Sequence, residues 1–436
     1  MLKMGCAKID VTPDFPVFLR GYGARKQKTA LVEEPIEVGV IALEQDGKKV
    51  LMITADNLGI QVEDCRKITA RIQEEFGIGG ADVMISCSHT HFAPGFTGYA
   101  VTFPDGELEQ GIYPPDTAYF NFWSAKLRIA VRAALDDLEE VSLDYAVIPV
   151  SGIAFNRRTV KKSDGLVKTN YTLPKNLDDF NFSPIDEMFY VWRFRKGNRP
   201  KGILGRYSCH PVTGGAEYYG ISADYPGYFK QCVQNEFGCP GFFLLGTAGD
   251  VVPMRRNGQS RRDLGEILGR SIRLNELNFR KADDFKLATG NFTVRGTLVR
   301  IANHATMEQD YQAALADAKK YPHEYRPELA EASNRYLTAK RFADRNFDIP
   351  IQLLRLGRHV IVGLPFEVLT AIGLELRAAC PEAVIASVTG GYESYLPLAA
   401  DFPKGGYETD NGANFEPETG NRVLAACIEE VKKFQA

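Results

Sequence analysis

The stretch MISCSHTHFAPG (84–95) changes character halfway. Its first half, with ADV before it, is an apolar run of strand length, 81–87; its second half is polar, with two histidines one residue apart. A continuous apolar run of this length reads as a strand buried on both faces, the kind found in sheets covered by helices. In such sheets ligand sites gather outside the carboxyl ends of the strands, which is where His89 and His91 fall. Residues separated by one position on an extended segment point the same way, so one imidazole can bind a metal while the other, slightly offset, contacts a substrate. Two polar-interior histidines that merely satisfy each other's surroundings would give the same pattern.

Working outward, the same alternation recurs. Upstream, IEVGVIALE (36–44) and KVLMITA (49–55) flank the polar QDGK, a hairpin signature. VEDCRKITARIQEEF (62–76) has helical periodicity and stops at Gly77. Downstream, helices are expected near 117–138, 225–237, 260–278, 367–379 and 418–434, with polar helices over 305–320 and 327–345. Strands are expected at 143–150, 187–195, 201–208, 241–246, 286–301, 350–356, 359–363 and 383–388. Mixed order of this kind predicts an α/β protein, with mixed β-sheets covered by helices, over a single domain 1–436. Two long segments lack periodicity, 92–116 and 156–186. With Phe103, Tyr113 and Tyr171 they read as pocket walls.

The bulk properties narrow the chemistry. Net charge is −3, which gives no reason to expect a nucleic-acid partner or a polybasic membrane anchor. No run approaches transmembrane length, and the opening residues hold no signal-peptide core. The expected location is cytoplasmic, or secreted if an export signal precedes the given residues. No feature specifies an oligomeric state. The eight cysteines are scattered without a Cys-x-x-Cys pair, and read as buried reduced thiols.

Six histidines occur, at 89, 91, 210, 304, 323 and 359. His210 follows the apolar GRYSC (205–209) just as His89 follows its own strand. A dinuclear lactamase-type motif would continue His-x-His with Asp and His; Phe92, Ala93 and Pro94 follow instead. A barrel amidohydrolase carries its His-x-His near the chain start, whereas here it comes after about four secondary elements. Glu367 follows HVIVGLP (359–365) and is expected to open a helix, where it either ligates a metal or favours the helix dipole. Tyr392 and Tyr395 follow AVIASVTGG (383–391). In FNRR (155–158), Arg157 could clamp an anion or a carboxylate. GTAGDVVP (246–253) is glycine-rich enough for its amides to face an oxyanion, and equally compatible with a plain turn.

Together these residues resemble the catalytic domain of the neutral/alkaline, non-lysosomal ceramidases. The likeness runs from GCAKIDVTP (5–13) and FLRGYG (18–23) to GGYE (405–408). The family's Thr-His-Thr-His-Ser-Gly-Pro-like segment is similar to Ser88-His89-Thr90-His91-Phe92-Ala93-Pro94, which implies His89 as a zinc ligand and His91 as an active-site residue. Its His-Pro-Thr segment resembles His210-Pro211-Val212-Thr213 and implies His210 as the second ligand. Pro365-Phe366-Glu367-Val368 implies Glu367 as the third, and Tyr392-Glu393-Ser394-Tyr395 implies Tyr395 as the fourth. Asn156-Arg157-Arg158 resembles an Asn-Arg-Ser segment, making Arg157 a substrate contact.

The resemblance therefore implies a neutral ceramidase-like fold and a Zn²⁺-dependent hydrolase. Its expected substrate is a small-molecule or lipid-like N-acyl compound, of which a ceramide-like one is an example, cleaved at the amide by zinc-activated water. His91, Arg157 and Asp250 would be catalytic, Arg157 and Tyr392 would bind substrate, and Asp250 with Asp224 would orient the ligand histidines. Two departures matter. The family's Gly-Asp-Val-Ser-Pro turn carries a serine nucleophile, whereas here Val252 stands in Gly249-Asp250-Val251-Val252-Pro253. Its C-terminal immunoglobulin-like domain has no counterpart before Ala436. A catalytically silent metal-binding paralogue, or a zinc esterase or phosphoesterase on a non-lipid substrate, is the alternative.

Overall fold

A computed structural model describes residues 1–96 except 24 and 26, together with 117–282, 286–298, 309, 312, 313, 316 and 346–435. Three sheets form its frame, and each follows one plan. The first runs Val83–Cys87, Lys48–Ala55, Glu37–Gln45, Lys3–Asp10, Glu139–Glu140. The second runs Gly241–Leu245, Arg199–Tyr207, Met188–Lys196, Ser142–Pro149, Arg280–Lys281, and the third Ala288–Thr297, Asn346–Leu356, His359–Gly363, Ala383–Ala386. In each, the strands are antiparallel except for one parallel pair at an edge.

The strand sequences dictate which face each side chain takes. In Lys48–Ala55, Leu51, Ile53 and Ala55 pack with the helix-facing core, while Val50 and Met52 join a second core shared by all three sheets. The same split by alternate residues holds for Phe243 and Leu245 against Phe242 and Leu244. The shared core holds Met52 from the first sheet, Trp192 from the second and Ile361 from the third. Helices Val62–Phe76 and Thr117–Asp136 cover the first sheet, and Asp224–Phe237 and Gly258–Leu274 the second. Thr370–Ala379 and Glu418–Gln435 cover the third. The mixed α/β architecture read from the sequence is therefore the one observed.

Local chemistry explains the punctuation. Asp46 and Gly47 both take positive φ, 52° and 82°, as the two-residue hairpin between Glu37–Gln45 and Lys48–Ala55 requires. Helix Gly258–Leu274 starts with a capping box, in which Asn257 Oδ1 accepts from the Ser260 amide at 2.9 Å and Ser260 Oγ accepts from the Asn257 amide at 3.1 Å. Asn257→Ala is expected to lower stability by about 1 kcal/mol in urea denaturation.

Several boundaries move. Glu367 does not open a helix: Glu367–Val368 is a short strand, and the helix begins at Thr370. The strand expected at 286–301 is Ala288–Thr297, and the helix expected at 260–278 ends at Leu274. The stretch 156–186 is not structureless, because Arg158–Lys161 pairs with both Val167–Thr169 and Phe180–Asn181. Phe103, Tyr113, the helix expected over 327–345 and most of that over 305–320 lie outside the described residues. All eight cysteines are free, seven of them buried. No helix among the described residues is long and apolar enough to cross a membrane.

Candidate metal centre

The three parallel pairs bring their carboxyl ends together. Backbone hydrogen bonds tie them: Cys87 N donates to Val388 O, Gly390 N to Ile85 O, and Ser387 N to Leu245 O. His89 follows Val83–Cys87, His210 follows Arg199–Tyr207 and Glu367 follows His359–Gly363. Tyr392 and Tyr395 come after Ala383–Ala386. Glu367 and Tyr395 are direct register partners in a parallel two-stranded bridge. His89 and Ser394 take positive φ, 66° and 71°, and so does Val388, 49°. That conformation is strained for a β-branched residue, and strain of this kind concentrates at functional sites.

Nδ1 of His89 lies 2.6 Å from Leu58 O, and Nδ1 of His210 is bonded to Ala248 O. A carbonyl only accepts, so each ring carries its proton on Nδ1 and turns the lone pair of Nε2 inward. Those two Nε2 atoms stand 3.2 Å apart. Glu367 Oε2 stands 3.3 Å from the first and 2.9 Å from the second. All three side chains are almost fully buried.

A second proton on one imidazole would turn this into an ion pair. For His210, burial works against that proton and lowers its pKa to about 4, despite the opposing pull of Glu367. The arrangement is thus a lone-pair triangle around one point. Ligands held at about 2.0–2.1 Å in a tetrahedron stand about 3.3 Å apart, so the spacing fits Zn²⁺. Imidazole nitrogen and carboxylate oxygen are also donors that zinc takes.

The fourth expected ligand is adjacent. The Tyr395 hydroxyl accepts from Arg157 Nη2 at 2.9 Å and is hydrogen-bonded to Glu367. Burial pushes its phenol well above the ordinary value, the neighbouring Arg157 opposing. Tyr392 donates to Glu367 Oε1 at 2.6 Å, so its hydroxyl serves the carboxylate instead of standing open for substrate.

His91 completes a group of three histidines, with His89 and His210, whose ligand atoms lie within 4.8 Å of one another. Neither of its ring nitrogens finds a hydrogen-bond partner among the described residues. Burial, reinforced by the two neighbouring histidines, holds its pKa well below the usual histidine range. His359 lies elsewhere, where Nδ1 accepts from Trp192 Nε1 in the shared core.

Three expectations are corrected. Asp250 does not face the cluster; its carboxylate accepts from Asn156 Nδ2 and from the amide and hydroxyl of Thr370, so it caps a helix. Asp224 accepts from Thr213 and from the Tyr225 amide. Neither touches a ligand histidine, because backbone carbonyls already hold both Nδ1 atoms. The 246–253 turn is a cradle for His210, and three of its amides are taken inside the protein. Its Ala248 and Val251 carbonyls grip that residue's ring and amide, and the three amides are those of Gly246, Gly249 and Val251. The guanidinium of Arg157 is committed to Glu408 and Tyr395, which runs against an open anion clamp. Val252 is fully buried with Phe155 and Val212, against Tyr22 and Met254.

No protein-family model and no curated protein matches the sequence. Solved structures do. The crystal structure of neutral ceramidase from Pseudomonas aeruginosa is similar with a TM-score of 0.72 at 16% identity, covering 100% of this chain and 74% of that one. A ceramidase structure described as complexed with C2 gives 0.70 at 17% identity, covering 98% and 74%. At this identity the likeness concerns architecture, and it agrees with the motif order: the chain has the neutral ceramidase fold.

Proposed function

We propose that residues 1–436 form one zinc-dependent hydrolase domain of the ceramidase type, acting on the amide bond of an N-acyl compound. The observation that supports it most is the convergence of two Nε2 lone pairs and one carboxylate oxygen, at 2.9–3.3 Å, in a buried site. His89, His210, Glu367 and Tyr395 would hold the ion. Zinc bound there would polarise a scissile carbonyl and lower the pKa of water towards ~7.

The chain's own residues supply the rest. Leu58 and Ala248 fix the histidine tautomers through their carbonyls. Tyr392 orients the Glu367 carboxylate. His91, neutral and with unpartnered nitrogens, takes up or returns a proton, or holds a developing negative charge on the carbonyl oxygen. Val252 offers no hydroxyl, so water is the nucleophile.

That same valine favours a second reading, a metal-binding protein without amidase turnover, or an esterase. A screen of N-acyl amides, carboxylic esters and phosphate esters separates them. Chelator-sensitive amide hydrolysis, restored by zinc, is the expected result. Zinc retained with no turnover favours the silent binder, and turnover confined to esters of either kind defeats the amidase assignment.

A further inference from the structure

The GGYE run ends in Glu408, whose carboxylate is fully buried. It opens a one-turn π-helix, Glu408–Gly412, a feature that collects at functional sites. A buried charge needs partners, and this one has three. Oε1 accepts from Arg157 Nε at 2.6 Å, and Oε2 accepts from Arg158 Nη1 at 3.1 Å and Thr169 Oγ1 at 3.3 Å.

The contact does not end there. Arg157 is a planar fork, so fixing Nε on Glu408 fixes where Nη2 points, and it points at the Tyr395 hydroxyl. The rings of Tyr171, Tyr395 and Tyr407 lie 5.5–5.8 Å from its Cζ and close off other positions. The far end of the same turn reaches Tyr395 by a different route. A Cβ on Gly412 would come within 2.4 Å of the Tyr395 ring, Ser394 Oγ donates to Gly412 O at 2.6 Å, and Tyr395 forms a bridge with Ala413. One short turn thus frames both the ring and the hydroxyl of Tyr395.

We infer that Glu408 is a positioning residue of the metal centre, holding the Tyr395 oxygen in place through Arg157 while touching no ligand atom itself. The inference rests on the zinc-site reading above. It also gives the paired arginines a role other than clamping an anionic substrate.

The test is a double-mutant cycle on zinc affinity, measured by chelator competition on the full chain. Glu408→Gln is close in shape and removes only the charge. It is expected to weaken zinc binding about 10–100-fold, as loss of a supporting contact does. Tyr395→Phe should weaken it at least as much, and the double variant no further than Tyr395→Phe alone. With Co²⁺ in place of zinc, the visible spectrum of Glu408→Gln should move towards that of Tyr395→Phe. Arg157→Lys keeps a charge but cannot bridge both partners, and should repeat the result if Glu408→Gln fails to fold. Losses that multiply in the double variant overturn the inference, as does a Glu408→Gln protein with unchanged affinity and spectrum. A wild-type protein that binds no zinc overturns the metal centre itself, and the inference with it; zinc bound by the wild type with a silent Glu408→Gln overturns the positioning alone.

Discussion

His210→Ala is expected to abolish zinc binding and hydrolysis together. Supporting contacts around a metal are each worth about 10–100-fold in affinity, so loss of a direct ligand should exceed that, on the order of 1,000-fold or ~4 kcal/mol. The backbone around the position has no reason to move. The residue 210 amide still donates to Val251 O, and Val212 N to the residue 210 carbonyl. What disappears is one lone pair of the triangle, leaving His89 Nε2 and Glu367 Oε2 at 3.3 Å. A ligand present at about 1,000 times its dissociation constant stabilises a fold by ~4 kcal/mol, so thermal melting gives a readout independent of turnover. The wild type should melt lower after chelation and recover with zinc, whereas the variant should melt at one temperature in both conditions. A variant that keeps its full zinc content would defeat the ligand assignment.

Much of this site was visible in the sequence because its side chains follow apolar strands. His89 stands just beyond Val83–Cys87, a run whose hydrophobicity announces it, and His210 just beyond Arg199–Tyr207, whose apolar part is the short Ile203–Leu204. The partners of those side chains were hidden for a physical reason. Leu58 and Ala248 act through carbonyls, which every residue possesses, so no residue type marks the role. Side-chain chemistry points to the carboxylates of Asp224 and Asp250, both of which serve local structural needs. The strand Glu367–Val368 is too short to show any period, and its pairing with Tyr395–Leu396 is fixed by tertiary contact alone. The sheet of Arg158–Lys161 with Val167–Thr169 and Phe180–Asn181 is short, polar and partly exposed, so hydrophobic alternation never develops there. Lys3–Asp10 escaped for a related cause: only Met4 and Gly5 of its eight residues are fully buried.

A second large effect is expected far from any ligand atom, at Lys230. This lysine sits inside helix Asp224–Phe237 and is almost wholly buried. Its Nζ lies 2.7 Å from Asp56 Oδ2 and 3.0 Å from Glu37 Oε1, and Lys8 shares Glu37 at 3.0 Å. Asp56 follows the end of strand Lys48–Ala55, and its neighbours grip His89, the first proposed ligand: Asn57 O accepts from the His89 amide and Leu58 O from its ring. Lys230→Met keeps the stem's packing and removes the charge, leaving a buried carboxylate without its cation. Breaking such a pair from one side costs about 3–5 kcal/mol, to be read from urea denaturation at pH 7. The sign of the pH dependence follows from Asp56. Burial raises its folded pKa above the unfolded value even with Lys230 opposing, so Asp56 contributes stability as pH falls, while Lys230 and Lys8 hold Glu37 below its usual value and act in the other sense. Without the lysine the rise at Asp56 is larger, and the deficit of Lys230→Met should shrink on acidification towards pH 5. Pairing the change with Asp56→Asn removes the stranded charge and should recover part of the loss at pH 7. A deficit that stays constant with pH, and is not reduced by Asp56→Asn, would mean that the lysine acts through packing and not through the carboxylate beside the His89 segment.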